Sequence, residues 1–251
     1  MIHAGLREAA FAANRALAAT NLVLGTFGNV SAADRGAGVL AIKPSGVPYG
    51  ALTPEQMVVV SLETGEVVDG TLRPSSDTPT HRELYRAFPA IGGIVHTHSE
   101  YATAFAQARL PIRCMGTTHA DYFCVDVPIT RPMTREEVEK DYERNTGVVI
   151  AETVRACGAD ADAVGAVLVA NHGPFTWGAD AAAAIERAEV LEYLARLEWR
   201  VRTLAPDAPR PDGFLVDKHF RRKHGPSAYY GQPPKGSDPG LTPGGEKGSD
   251  P

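Results

Sequence analysis

The chain has 251 residues, 43% hydrophobic and 22% charged, which is ordinary for a soluble globular protein of one large or two small domains. Its formal net charge of −5 excludes a basic field of the kind that binds nucleic acid, and no apolar run reaches the ~20 residues that cross a bilayer. Charged residues such as Arg7 and Glu8 interrupt the N-terminal segment, which therefore lacks the apolar core of a signal peptide, and we expect a cytoplasmic protein without nucleic-acid or membrane partners.

The first half of the chain combines helical and strand patterns. Apolar residues recur at helical spacing in several segments, and short apolar runs bounded by turn residues predict strands. In chain order the predicted elements are a helix over 4–20, a strand over 38–42, a helical turn at 53–56, a hairpin of strands 57–62 and 66–68, a helix over 79–88, a strand over 92–98 and a helix over 99–108.

The second half begins with a region rich in Thr, Tyr and Phe, which predicts mostly extended chain over 114–127. Thr134 and Glu137 have the spacing of a capping box, and they predict the start of a long helix. The remaining predicted elements are a helix over 134–157, a buried strand over 166–172 with a histidine at its end, a helix over 180–203 and a basic helix over 215–224.

These elements predict one α/β domain over residues 1–231, with a central, largely antiparallel sheet flanked by helices. The hairpin argues against an all-parallel, doubly wound sheet. The sequence has no Gly-rich dinucleotide loop and no Walker-type phosphate loop. Residues 232–251 are rich in Pro, Gly and Ser and have few apolar side chains to bury, so we expect a disordered tail there.

Histidines lie at the ends of two of the predicted strands. Because side chains alternate along a strand, His96 and His98 are expected on one face, although ordinary hydrogen-bonded histidines are the commoner outcome for an isolated pair. His172 lies at the end of the second strand and precedes Gly173-Pro174. Three convergent imidazoles suit a divalent metal ion with one position left for substrate or a carboxylate. Carboxylates near the first pair are further candidates as ligands or as their partners: Asp77, Glu83 and Glu100.

Several short motifs, in this order, resemble those of the class II aldolase/adducin family. They are Gly28-Asn29-Val30-Ser31, Lys43-Pro44-Ser45-Gly46, Pro74-Ser75-Ser76-Asp77, His96-Thr97-His98-Ser99 and Asn171-His172-Gly173. Blocks at 75–81, 116–123 and 217–232 resemble the L-ribulose-5-phosphate 4-epimerase branch of that family. The resemblance extends over roughly residues 5–232, and an ordered set of motifs is far more specific than any one of them.

The resemblance implies the residues of an active site. His96, His98 and His172 would hold a divalent ion, usually zinc but also manganese or another divalent ion, with Asp77 as a ligand or base. Asp121 and Tyr230 would be the acid/base groups. The residues implied to bind the substrate and its phosphate are Gly28, Asn29, Lys43, Ser45, Gly46, Ser75, Ser76, His219 and Arg222. Taken alone, each Gly-Ser pair would be an ordinary turn, and the basic helix would be a solvated face.

The resemblance also implies a homotetramer whose active sites lie between subunits, with the C-terminal basic segment reaching a neighbour's site. The implied reaction interconverts L-ribulose 5-phosphate and D-xylulose 5-phosphate by breaking and remaking the C3–C4 bond, as in arabinose or ascorbate breakdown. A fuculose-phosphate type aldolase is the first alternative, but it typically carries Glu where this chain has Asp77 and lacks the 116–123 block. A non-enzymatic adducin-like binding domain is the second, and it has no need of three convergent imidazoles.

Overall fold

The computed structural model describes residues 2–224 and 228–230. A seven-stranded sheet forms its centre, in the order β4-β3-β2-β1-β5-β7-β6, and every neighbouring pair is antiparallel. The strands are β1 (Asn29–Asp34), β2 (Val39–Ile42), β3 (Val58–Ser61), β4 (Val67–Asp69), β5 (Gly93–His96), β6 (Ala166–Leu168) and β7 (Pro174–Gly178). The predicted α/β class with an antiparallel sheet is confirmed, whereas the predicted tail, 232–251, lies outside the described residues.

Helices cover both faces of the sheet. They are α1 (Ala4–Ala19), α2 (Thr78–Ala87), α3 (Glu100–Ala108), α4 (Thr117–Ala120), α5 (Arg135–Ala156), α6 (Ala161–Val164), α7 (Ala181–Leu204) and α8 (Gly213–Lys223), and short 3-10 turns span Tyr49–Ala51 and Pro54–Gln56. Within the described part of the chain, none of the helices has the length and apolar character needed to span a membrane.

Alternation along the strands divides the core into two layers. In β1, Val30 and Ala32 pack with α1 and α7, whereas Asn29 and Ser31 face the opposite layer, which is built on α2 and α5. In β5, Ile94 belongs to the α2 layer. His96, two residues further on, therefore emerges on the α2 side of the sheet, at the end of its strand. A third apolar cluster joins α3 and α7 beyond β6.

The structure corrects several predicted elements. Region 114–127 is not mainly extended, because α4 interrupts it and only isolated bridges such as Ile112 to Val127 pair it. The histidine strand ends at His96 and β6 ends at Leu168, so the loops that follow carry His98 and His172. The long helix predicted from Thr134 is present, but its backbone leaves helical geometry at Asp141, with φ −161° and ψ 62°.

Candidate metal and phosphate site

The sheet brings the three histidines together. His96 pairs with Phe175 across β5 and β7, so the turn that precedes β7 lies beside the end of β5. His172 occupies that turn next to Asn171, whose φ of 64° is left-handed and permits the sharp reversal. One nitrogen from each of His96, His98 and His172 can be chosen so that all three lie within 4.8 Å of one another.

Neighbouring groups orient these imidazoles. His96 Nδ1 donates to the carbonyl oxygen of Pro174 at 3.0 Å, and its ring stacks on Phe175 at 4.2 Å between centroids. Its Nε2 therefore carries no hydrogen and lies 3.1 Å from His98 Nε2, so both atoms can face one ion. Phe27 stacks on His98 at 5.7 Å between ring centroids. The hydroxyl of Tyr142 lies 3.5 Å from His172 Nδ1.

The neutral state of two of these imidazoles favours metal binding. Burial and the adjacent imidazoles lower the pKa of His172 to about 4, and the same causes lower the pKa of His98. Both rings are therefore neutral at pH 7 and offer lone pairs. Three imidazole nitrogens with room for another ligand match the donor set of catalytic zinc sites, so the residues present fit a divalent ion.

Asp77 lines the same cavity as the histidines but is outside the ligand group, which consists of His96, His98 and His172 among the residues that the structure describes. It precedes α2, and its Oδ2 accepts a hydrogen bond of 2.7 Å from Asn29 Nδ2. Burial raises the pKa of Asp77, but the imidazoles of His96 and His81 and the Asn29 amide more than offset that effect, and the pKa lies below its usual value. This position suits a base or an indirect partner better than a direct ligand.

A cavity of about 390 Å³ joins the histidines to the predicted phosphate residues. The predicted site residues that line it are Gly28, Asn29, Lys43, Ser45, Gly46, Ser75, Ser76, Asp77, His96, His98 and His172. Gly28 is required here, because its φ is +80° and a Cβ would lie 2.9 Å from the carbonyl oxygen of His96. The backbone can therefore approach a ligand closely.

Lys43 is a buried cation without an anionic partner among the described residues. It is 2% exposed, and its Nζ lies 3.4 Å from the carbonyl oxygen of Pro44 and 3.5 Å from that of Thr26. The ring of Tyr49 lies 4.9 Å from the ammonium, and the Tyr49 hydroxyl donates to the carbonyl oxygen of Gly28 at 2.8 Å. Burial lowers the pKa of Lys43. An ammonium held in this way is prepared to receive an anion.

The other predicted site residues form a second cluster, between α4 and α8, outside the lining of this cavity. Arg222 donates two hydrogen bonds, of 2.8 and 2.6 Å, to the carboxylate of Asp121, and His219 Nδ1 lies 3.1 Å from the same carboxylate. The Arg222 guanidinium lies 4.4 Å from the centre of the Tyr230 ring. Burial raises the pKa of Asp121, but its hydrogen bonds to Arg222 and His219 lower that pKa by a larger amount. The pKa of Asp121 therefore lies below its usual value.

Sequence reasoning missed several residues at the cavity. Tyr142 and Glu143 reach its lining just after the break in α5 at Asp141, and Phe27 joins them from the loop before β1. An aromatic residue beside the Gly28-Asn29 motif was a visible signal for Phe27. The residues of α5 had no such signal, because the break is visible only in the folded chain.

Comparison with known proteins places the chain in a family. Residues 8–199 match the model of the "Class II Aldolase and Adducin N-terminal domain". The fold resembles an L-fuculose 1-phosphate aldolase at 26% identity and a TM-score of 0.72, covering 87% of this chain and 97% of that one. It also resembles YgbL from Klebsiella pneumoniae, whose description names aldolase, epimerase and decarboxylase as candidate activities, at 29% identity and a TM-score of 0.67, covering 87% and 99%.

A third similar structure is the L-fuculose-1-phosphate aldolase of Thermus thermophilus, at 25% identity and a TM-score of 0.62, covering 82% of this chain and 98% of that one. The family match covers well over half of the sequence and includes the histidine cluster and the cavity that Lys43 lines. The chain belongs to the class II aldolase and adducin family.

Proposed function

We propose that the protein is a divalent-metal-dependent L-ribulose-5-phosphate 4-epimerase, which interconverts L-ribulose 5-phosphate and D-xylulose 5-phosphate. The hydrogen on carbon 4 is not acidic, so direct deprotonation there is unfavourable. Breaking the C3–C4 bond and remaking it on the opposite face of the aldehyde avoids that step. Such a reaction needs a cation for the ketone, a holder for the phosphate and acid/base groups for the aldehyde oxygen.

His96, His98 and His172 would hold the cation. One nitrogen from each imidazole lies within 4.8 Å of the other two, which supports this role. The bound cation would act as a Lewis acid and stabilise the negative charge that develops when the carbon–carbon bond breaks. Zinc fits the donor set well, and manganese is compatible with it.

The observation that carries the proposal is the ammonium of Lys43, which has no anionic partner in the described part of the chain and lies in the same cavity as the histidines. Buried charges are normally paired, so this one indicates an anionic ligand. Glycine backbone at Gly28 and Gly46 and hydroxyls at Ser45 and Ser75 surround the space, which suits phosphate oxygens. A held phosphate would keep the cleaved fragment in place while its carbonyl face turns.

Asp121 and Tyr230 supply the acid/base groups in this proposal. Both belong to the cluster between α4 and α8, in which Arg222 contacts each of them. Because this cluster does not line the cavity of its own chain, we propose that it serves the cavity of a neighbouring protomer in a homotetramer. His219 and Arg222 would then be available to the neighbour's substrate.

A class II sugar-phosphate aldolase of the fuculose-phosphate type is the second candidate. Two similar structures are L-fuculose 1-phosphate aldolases, which favours it. We favour the epimerase because the chain has Asp77, one methylene shorter than the Glu typical of those aldolases, and because Asp121 and Tyr230 are held together in one cluster.

Incubation of the metal-loaded protein with L-ribulose 5-phosphate tests the proposal. An epimerase produces D-xylulose 5-phosphate until both epimers coexist, whereas an aldolase accumulates glycolaldehyde phosphate and dihydroxyacetone. A parallel incubation with L-fuculose 1-phosphate measures the competing activity. An adducin-like scaffold would convert neither sugar phosphate, and chelation of any bound ion would change no activity.

A further inference from the structure

A buried polar seam joins strand β1 to helix α2 behind the cavity. Asn29 and Ser31 lie two residues apart on one face of β1, and Asp77, His81 and Tyr85 recur every fourth residue along one side of α2. Asn29 bonds to Asp77 at 2.7 Å, and Ser31 Oγ bonds to His81 Nδ1 at 2.7 Å and to the Tyr85 hydroxyl at 2.9 Å. The seam therefore runs from the site into the core.

The hydrogen bonds of Tyr85 decide where the protons lie. Its hydroxyl is 3.1 Å from the carbonyl oxygen of Ser31 and 3.4 Å from that of Gly92. Because a carbonyl oxygen can only accept, these two contacts favour the arrangement in which the Tyr85 hydrogen points to them. The Tyr85 oxygen then accepts from Ser31 Oγ–H. The Ser31 oxygen in turn accepts from His81 Nδ1–H.

His81 consequently has a bare Nε2. Burial lowers the pKa of His81 to about 3, so the ring is neutral and a proton on Nδ1 leaves none on Nε2. That nitrogen is fully buried and has no hydrogen-bond partner among the described residues. Buried polar atoms rarely remain unpaired, which points to a donor at this place.

Asn29 offers a second unpartnered acceptor in the seam. Its Nδ2 faces the Asp77 carboxylate, because only the amide hydrogens suit an anion, and this leaves Oδ1 buried without a partner among the residues that the structure describes. A water molecule has two hydrogens and can donate one to each of two acceptors. Internal waters typically satisfy buried polar groups in this way.

We propose that His81 is a positioning residue of the site: its bare Nε2 and Asn29 Oδ1 share one internal water, which holds the Asn29 amide toward Asp77. Without that water, the Asn29 amide can flip and turn its oxygen toward the carboxylate, which would repel Asp77 from its place. His81 thus acts on Asp77 through Asn29, in addition to its bond to Ser31. The inference depends on the proposed function only in the experiments that measure enzyme activity.

Two substitutions separate this role from simple support of the fold. In His81→Asn, the amide nitrogen can occupy the place of Nδ1 and keep the bond to Ser31, but the Nε2 acceptor is lost. In His81→Gln, the side-chain oxygen can occupy the place of Nε2, whereas the bond to Ser31 is lost. Each variant therefore keeps one of the two hydrogen bonds of His81 and loses the other.

We expect His81→Asn to melt near the wild-type temperature, to retain metal and to lose about 10-fold or more in kcat with little change in KM, as removal of groups that orient ligands often does. His81→Gln should be less stable, because a buried hydrogen bond to Ser31 is lost, and should keep kcat within about threefold of wild type, because the acceptor for the water is kept. The reverse order of kcat, or equal kcat in both variants, would overturn the proposal.

Neutron diffraction from the wild-type protein tests the same inference without an activity assay and without a variant that has to fold. We expect deuterium on His81 Nδ1, none on Nε2, and one water within hydrogen-bonding distance of both Nε2 and Asn29 Oδ1. Deuterium on Nε2, or no such water, would refute the inference whether or not the protein converts L-ribulose 5-phosphate. Failure of the sugar conversion with the water in place would reject the proposed function alone.

Discussion

Replacement of Lys43 by Met should raise stability and lower activity together. The wild-type side chain is 2% exposed, and its ammonium has contacts of 3.4 and 3.5 Å to two carbonyl oxygens but no salt bridge to any described carboxylate. Met has an unbranched side chain of similar length, so it can fill the same space without the charge. The substitution therefore removes the charge of Lys43 while it largely keeps the packing of the side chain.

The magnitudes follow from these contacts. Burial of a poorly paired charged group costs about 1–3 kcal/mol, and loss of the contact with the Tyr49 ring offsets about 0.5–1 kcal/mol of the gain. A net gain of about 1 kcal/mol raises the Tm of a chain of this size by ~2–4 °C. A charge-assisted bond to phosphate contributes about 1.5–3 kcal/mol, so kcat/KM for L-ribulose 5-phosphate should fall ~10- to 150-fold.

Thermal melts and initial rates measure both effects. Lys140→Met is the matched control, because Lys140 is exposed and paired with Glu136 at 2.6 Å, and it should change neither quantity appreciably. Unphosphorylated L-ribulose provides a second control, since its turnover should not depend on Lys43. A Lys43→Met protein that is less stable than wild type and fully active on the phosphorylated sugar would refute the assignment of the phosphate site.

Three further outcomes are expected. His98→Asn should retain less metal after dialysis against a chelator, as measured by elemental analysis, and wild-type retention would remove His98 from the ligand set. Asp121→Asn and Tyr230→Phe should each slow epimerisation with metal content unchanged, and full activity in both would reject their acid/base roles. His81 and His172 have pKa values of about 3 and about 4 in the folded chain, against an ordinary value of 6.5, so the unfolded chain binds more protons between these values. The stability of the metal-free protein should therefore fall as the pH drops from about 6.5 to 4. Melting temperatures that stay constant over that range would contradict the burial of these rings.

Local signals made much of the fold predictable. The capping box of Thr134 and Glu137 forms as its spacing indicated, with Glu137 N donating to Thr134 Oγ1 at 3.2 Å. The amphipathic patterns of α1 and α2 and the hairpin of β3 and β4 are likewise properties of contiguous sequence. Such elements are recognisable because their period and their end signals lie within a few residues of one another.

Strand β1 escaped prediction because its stability is not local. Its sequence, Asn-Val-Ser-Ala-Ala-Asp, has little β-branched or aromatic character, yet it lies in the middle of the sheet between β2 and β5. Pairing on both edges and the buried bonds of Asn29 and Ser31 hold it in place. Tertiary context outweighs propensity at such a strand.

The candidate site likewise combines residues that local sequence predicts with residues that only the folded chain brings together. The three histidines were recognisable from their motifs, but His98 and His172 converge through loops rather than through strand alternation. Tyr142 lines the cavity because the helix breaks at Asp141, and no pattern in the sequence predicts that break. The pairing of Asp121 with Arg222 spans 101 residues and depends on how α8 returns to α4.

Epimerisation in heavy water tests the central claim most directly. If the reaction breaks and remakes the C3–C4 bond with the phosphate held near Lys43, D-xylulose 5-phosphate formed from L-ribulose 5-phosphate in D₂O will retain its original hydrogen on carbon 4, as proton NMR can show. Deuterium on carbon 4 would contradict carbon–carbon cleavage, and accumulation of glycolaldehyde phosphate without the epimer would contradict the epimerase.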